Sequence, residues 1–422
     1  MKLKRDIQEF LLNEALERFL RYVKVWTTSD ETAETVPSTK IQLDLAKLLV
    51  KELKELNLEN IFLDEFGNVY AFLPPSKGLE KIQSIGLLAH IDTTPYVSGK
   101  DVNPVIHRNY DGKEIKFSKD KDLVLSIEDS PNLEEYIGLD IVTSEGDTLL
   151  GADDKAGVAE IMTACAAWKK FDELKHGPLF ICFSTDEETG LGIDKVDLKR
   201  LPKICYTVDG GEMGELEFEC FDAWEAKPKF MGLNVHPGEA KNKMINAIQI
   251  ACRFFSELPE SESPTHTEER EGFFHLQKLQ GTAEETTSRM LIRDFLEENN
   301  QRRMDYLQNL KKAYEIRYPG LKIELNLKHQ YQNMSIYLKK NPKVIDLAKQ
   351  AIEKAGLELK IHPIRGGTDG AKLSAKGIPT PNIFAGGLLF HSRKEFIPTL
   401  ALQKTSEVLI YLAYLWTQSK YN

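Results

Sequence analysis

Apolar positions in this chain gather into short runs separated by stretches of helical period. Ile85–Ala89, Leu179–Ser184 and Ile204–Val208 are continuous apolar runs bounded by polar residues, which predicts buried strands. Helical spacing predicts helices over Asp154–Lys170, Pro342–Ala355, Asp369–Lys376 and Thr399–Thr417, with strands near Leu359–Pro363 and at Asn382–Phe384. Upstream, the Ser38/Thr39 capping signal opens a helix over Thr39–Leu56, followed by short strands around Ile61 and over Val69–Leu73. Ile7, Phe10, Leu11, Ala15, Phe19, Leu20 and Val23 recur at helical spacing between Glu and Arg residues, an amphipathic helix rather than a signal peptide. Residues 93–148 are rich in Gly, Asp and Lys, with an Asp111-Gly112 turn, and read as an elaborated crossing segment.

This alternation of strand and helix predicts an α/β domain, and it is interrupted. Residues 217–332 have their own rhythm: strand Ala223–Gly232, helix Met244–Leu258, strands Phe273–Thr282 and Ser288–Leu296, helix Asn299–Tyr318, strand Lys322–His329. That βαββαβ order is the ferredoxin-like pattern. The expected organisation is a discontinuous domain, 1–216 with 333–422, carrying 217–332 as an inserted lid.

At 422 residues the chain can bury a large core, and 41% hydrophobic with 28% charged residues is ordinary globular composition. The formal net charge of -10 argues against nucleic acid as a partner, since such affinity comes largely from Lys and Arg on phosphates. No stretch approaches the roughly 18 uninterrupted apolar residues of a membrane span. The five cysteines contain no Cys-x-x-Cys pair and lie mostly within apolar runs, which fits a reducing compartment and a cytoplasmic protein.

Polar residues at the ends of the apolar runs change the picture most. Glu187 and Glu188 follow the Leu179–Ser184 strand as neighbours, and adjacent side chains on extended backbone face opposite ways. One could hold a metal and the other move a proton; geometry leaves open which does which. His90 and Asp92 have i, i+2 spacing, which puts them on one face of a strand, where Asp92 could orient the imidazole. Asp153 lies at the start of a helix in Gly151-Ala152-Asp153-Asp154, Asp209 follows the Ile204–Val208 strand, and His391 follows Gly386-Gly387-Leu388-Leu389-Phe390. Each segment alone reads as a cap, a turn or a solvated loop. Together, two His and three carboxylates on one rim of an α/β sheet suit two divalent cations sharing a carboxylate, in the nitrogen and oxygen chemistry of zinc, cobalt or manganese.

These segments, with Asn234-Val235-His236-Pro237-Gly238 and Arg365-Gly366-Gly367-Thr368-Asp369-Gly370, closely resemble the co-catalytic zinc M20 metallopeptidase family, and within it the tripeptide aminopeptidases. The resemblance runs from about Leu16 onward and implies a zinc-peptidase-like α/β catalytic domain with an inserted lid. It implies two Zn2+ per subunit, with Co2+ or Mn2+ as substitutes: one held by His90, Asp153 and Asp209, the other by Asp153, Glu188 and His391. It makes Glu187 the general base and Asp92 the second catalytic residue, and places His236 at the substrate, a short peptide. Arg293 and Arg365 are candidate anchors for the peptide's terminal carboxylate, since a bidentate guanidinium suits that group, with a surface salt bridge as the equal alternative for each. The family often has a further His shortly after its last ligand; here Arg393 and Lys394 fill that stretch. The same metal site would also serve a dipeptidase, an N-acyl amino acid deacylase, or a binding protein that captures peptides uncleaved.

Overall fold

The apolar runs form the middle of a seven-stranded sheet in the computed structural model, which describes residues 1–419. Four strands, Leu179–Ser184, Ile85–His90, Cys205–Gly210 and Asn382–Phe384, lie side by side and parallel. Glu59–Leu63 and Val69–Leu73 extend one edge antiparallel, and Leu216–Glu217 the other. Alternate side chains leave opposite faces. Leu88, Cys182 and Cys205 therefore pack with Leu373 and Ile378 on one side. On the other side the Tyr206 hydroxyl donates to the Val344 carbonyl (2.9 Å) and accepts from Trp416 Nε1 (3.1 Å), tying down the helices Pro342–Lys354 and Thr399–Gln418.

Helix Ala152–Lys170 is buried along most of its length, against the strands ending at His90 and near Asp209. Gly157 permits this approach: a Cβ there would fall 2.0 Å from the Val208 carbonyl oxygen. Helix Arg5–Tyr22 buries Ile7, Leu11, Ala15 and Phe19, one stripe at i, i+4 spacing, against the same helix and Thr399–Gln418. Among the described residues no helix is long and apolar enough to cross a membrane. Cys165, Cys182, Cys205 and Cys220 are buried, while Cys252 is exposed.

Two expectations change. The helix expected from Thr39 begins at Gln42 with no side-chain cap, because Ser38 is used elsewhere, on Asp186. No regular strand forms over 359–363: Lys360 alone bridges to Glu215, since the neighbouring edge is two residues long and Pro363 has no N–H to give. The crossing segment builds a small core of its own, in which Tyr110, Ile115, Leu125, Leu133 and Tyr136 pack with Phe396. Its strands Val105–His107 and Ile141–Thr143 pair in one sheet with Phe396–Pro398, directly after the His391 loop.

The second compact unit comprises Glu219–Ile336 with Pro363–Gly367, so against the expected 217–332 it starts and ends slightly later and gains a return segment. Its sheet, Phe273–Gly281, Glu285–Asp294, Asp222–Met231 and Lys322–Tyr331 in spatial order, is antiparallel throughout. With helices Ala247–Ser256 and Glu297–Arg317 this is the ferredoxin-like arrangement. Phe254 anchors its core edge-on to Phe230 (5.2 Å) and Tyr314 (5.3 Å).

Candidate metal centre

Parallel strands in an α/β sheet present their carboxyl ends to one rim. His90 ends its strand, Asp209 lies one residue from the end of the next, and Glu187 and Glu188 follow the Leu179–Ser184 strand. Two donor groups assemble there, His90 with Asp153 and Asp209, and Asp153 with Glu188 and His391, each with ligand atoms within 4.8 Å of one another. His90 Nε2 lies 2.9 Å from Asp153 Oδ1 and 3.4 Å from Asp209 Oδ1. His391 Nε2 lies 3.1 Å from Asp153 Oδ2 and 2.9 Å from Glu188 Oε2. Asp153 thus turns one carboxylate oxygen to each histidine.

The charge balance of this cluster fits cations. Like unit charges ~4 Å apart repel by about 4 kcal/mol even at an effective dielectric of ~20. Glu188 Oε1 is buried with no hydrogen-bond partner, an arrangement that is costly until something positive meets it. Burial and then Asp153 push the Glu188 carboxyl up to about 7, and burial pushes Asp209 up to about 6. Burial opposes charge on His391, yet Asp153 and Glu188 outweigh it and raise the imidazole to about 11. Without a metal, protons on His90 and His391 offset part of the carboxylate charge, while those imidazoles keep the Asp153 carboxyl below its usual range despite its burial. Imidazole nitrogen and carboxylate oxygen with no thiolate are the donors of zinc, cobalt or manganese sites.

Adjacent acids divide their roles here. Asp154 faces inward and accepts from the His90 and Gly157 amides, both at 3.1 Å, so it braces strand against helix. Asp186, at φ 56, is held by the Ser38 amide (2.6 Å) and hydroxyl (2.5 Å) and by Gln42 Nε2 (2.6 Å), away from both donor groups. Asp92 faces the His90 ring: Nδ1 lies 3.1 Å from its carbonyl and 3.3 Å from Oδ1. Its two carboxylate oxygens also accept from the Glu187 (3.0 Å) and Glu188 (3.2 Å) amides. Glu187 belongs to neither donor group. Burial first, then Asp369, Asp209 and Glu188, push its carboxyl well above the usual range.

Three further residues stand outside the candidates named from the sequence, although Asp369 falls within the Arg365–Gly370 motif. Asn382 Oδ1 accepts from the Asp209 amide at 3.1 Å. Asp369 is buried on the Ser184 hydroxyl (3.0 Å), and burial lifts it to about 6. Glu395 accepts from the Leu150, Gly151 and Asp153 amides. Hydrogen bonds to an ionised group contribute about 1.5–3 kcal/mol each, so the three on Glu395, which burial lifts to about 7, outrank in its ionised form the half-exposed Arg393–Asp120 pair on the same loop. Buried Lys155 donates to the Val25 carbonyl (2.8 Å); burial lowers its pKa to about 7, opposed by Glu395 and Asp92.

The remaining candidates lie in the second unit. His236 is exposed and its Nδ1 accepts from the Gly238 amide (3.1 Å). Arg293 is buried, donating to the Trp224 and Ile292 carbonyls and to Gln330 Oε1. Arg365 donates to the carbonyls of Thr267, Glu269 and Glu271, which is why its segment joins this unit.

Fold and site together define a hydrolase of the metallopeptidase kind, and the model of the peptidase family M20/M25/M40 matches residues 143–414. The chain belongs to that family and is a peptidase. It is 47% identical over 406 residues to Peptidase T of Caldanaerobacter subterraneus subsp. tengcongensis, covering 96% of this chain and 99% of that one. Among solved structures it shares its fold with an aminopeptidase PepT from Bacillus cereus (TM-score 0.74, 22% identity, 97% and 99% of the two chains). A tripeptidase from Staphylococcus aureus is similar in the same way (TM-score 0.76, 19% identity, 97% and 99%).

Proposed function

We propose that the protein is a dinuclear zinc aminopeptidase that removes the N-terminal residue from unblocked tripeptides in the cytoplasm. The observation that carries the two-metal reading is Asp153, with one oxygen toward His90 and the other toward His391. His90, Asp153 and Asp209 would hold one ion, and Asp153, Glu188 and His391 the other. When bound, such ions supply Lewis-acid polarisation of a carbonyl and a water acidic enough to lose a proton near neutral pH.

The side chains do the rest. His90 Nδ1–H donates to the Asp92 carbonyl, with the Asp92 carboxylate beside it, which fixes the tautomer with Nε2 free for ligation. By holding the Glu187 and Glu188 amides, the same carboxylate sets both acids relative to that ring. Glu187, outside both donor groups, accepts the proton of the attacking water and returns it to the leaving amine. A peptide-capturing protein without hydrolysis has no use for such a base.

For the second unit the proposal is that of a lid bearing substrate contacts, with His236 at the carbonyl oxygen and Arg293 or Arg365 at the peptide's terminal carboxylate. A guanidinium suits that group. The likeness to Peptidase T and to a tripeptidase fold supports the choice of substrate. Initial rates on a free tripeptide, a dipeptide and an N-acetyl amino acid test it: the tripeptide should be cleaved fastest. Faster cleavage of the blocked compound would replace the assignment with a deacylase.

A further inference from the structure

Glu395 stands four residues after His391, in a run of charged residues that reads as solvated surface. It is instead 1% exposed. Its Oε2 accepts from the Leu150 (2.8 Å) and Gly151 (2.7 Å) amides and its Oε1 from the Asp153 amide (3.0 Å). These three amides lie at the start of helix Ala152–Lys170, where Gly151 has φ 86 and Asp153 is non-helical. Such amides have no carbonyl of their own helix to meet, and the carboxylate is their acceptor.

The same residue closes the loop that carries the other histidine. Leu388 and Phe396 exchange backbone hydrogen bonds at 2.9 and 3.1 Å, and the Glu395 amide donates to the Ser392 carbonyl at 3.3 Å, with His391 inside the loop. One carboxylate therefore joins the His391 loop to the backbone of Asp153. Asp92 has the same construction on the other side, its two oxygens on the amides of Glu187 and Glu188.

We infer that Glu395 is a positioning residue that presets the Asp153 carboxylate between the two histidines before any metal arrives. The inference rests on the two-metal reading proposed above. It requires a carboxylate: an amide at this position would point an NH2 group at one set of backbone N–H donors, and Asp would be one methylene too short to reach both sets.

Amide hydrogen exchange on the metal-free wild-type protein is the first test. The Leu150, Gly151 and Asp153 amides should be protected already, with little added by zinc. Fast exchange that only zinc suppresses would overturn the inference. Zinc titration against a competing chelator is the second. Glu395→Gln should weaken zinc binding by about 10- to 100-fold and lower kcat with KM less affected, Glu395→Asp should fall between, and Lys394→Ala on the same loop should bind as wild type. A folded Glu395→Gln with wild-type zinc affinity and kcat, altered only in thermal stability, would also overturn it. If Glu395→Gln does not fold, Glu395→Asp is read by the same criterion. Failure of the wild type to bind zinc would instead refute the two-metal reading and leave the exchange result standing.

Discussion

The two donor groups have nearly the same composition, an imidazole and two carboxylates with Asp153 in common, yet their surroundings differ sharply. The His90 side chain is 2% exposed and braced from behind by Asp92, whereas the His391 side chain is 41% exposed. His391 sits at φ 58 on a loop, and among the described residues nothing bonds its Nδ1. Equal ligands thus do not make equal sites. On this account the His90 group is a closed seat that retains its ion, and the His391 group an open one where an ion exchanges and a substrate can enter.

The largest effects should come from removing one histidine at a time. Both His90→Ala and His391→Ala should abolish turnover, but metal analysis should separate them. His391→Ala keeps one equivalent, in the closed group. His90→Ala keeps none, because it removes at once the imidazole that Asp92, Asp153 and Asp209 all face. The opposite pattern would reverse the comparison. Glu187→Gln should touch neither group: metal content stays intact while kcat falls about 10²- to 10⁴-fold, the usual reach of a general base. Unchanged turnover would remove Glu187 from the chemistry.

A smaller effect concerns protons. In the metal-free protein His391 is raised to about 11 and Glu188 to about 7, so near neutral pH the imidazole is protonated and the carboxyl partly so. Ligands must be deprotonated to bind. Zinc uptake in weak buffer should therefore release protons, and affinity should fall as the solution goes from mildly alkaline to mildly acidic. Uptake without proton release would contradict the electrostatic picture of the open group.

Much of this site was legible because an apolar strand must end, and a polar residue at its end is conspicuous. His90, Asp209 and Glu188 declared themselves that way, and the ferredoxin-like unit followed from clean alternation of strand and helix. Assigning proton transfer to Glu187 took family resemblance, since opposite-facing neighbours do not say which faces a metal. What stayed hidden depends on contacts far apart in sequence. Glu395 looks like one more charge after Arg393 and Lys394 until the fold brings it to Leu150. Asp186 looks like a third member of the acid cluster until Ser38 and Gln42 claim it. Residues 93–148, polar and turn-rich, gave no sign that their strand Ile141–Thr143 pairs with the segment following the His391 loop.

The proposed two-metal centre turns on Asp153 as its shared ligand. The most direct measurement is the number of zinc equivalents bound per chain by wild type and by Asp153→Asn, determined on folded, metal-depleted protein titrated with zinc. Two equivalents for wild type, and loss of tight binding at both positions in the variant, is the predicted result. A wild type that binds a single equivalent, or an Asp153→Asn that still binds two, would contradict it.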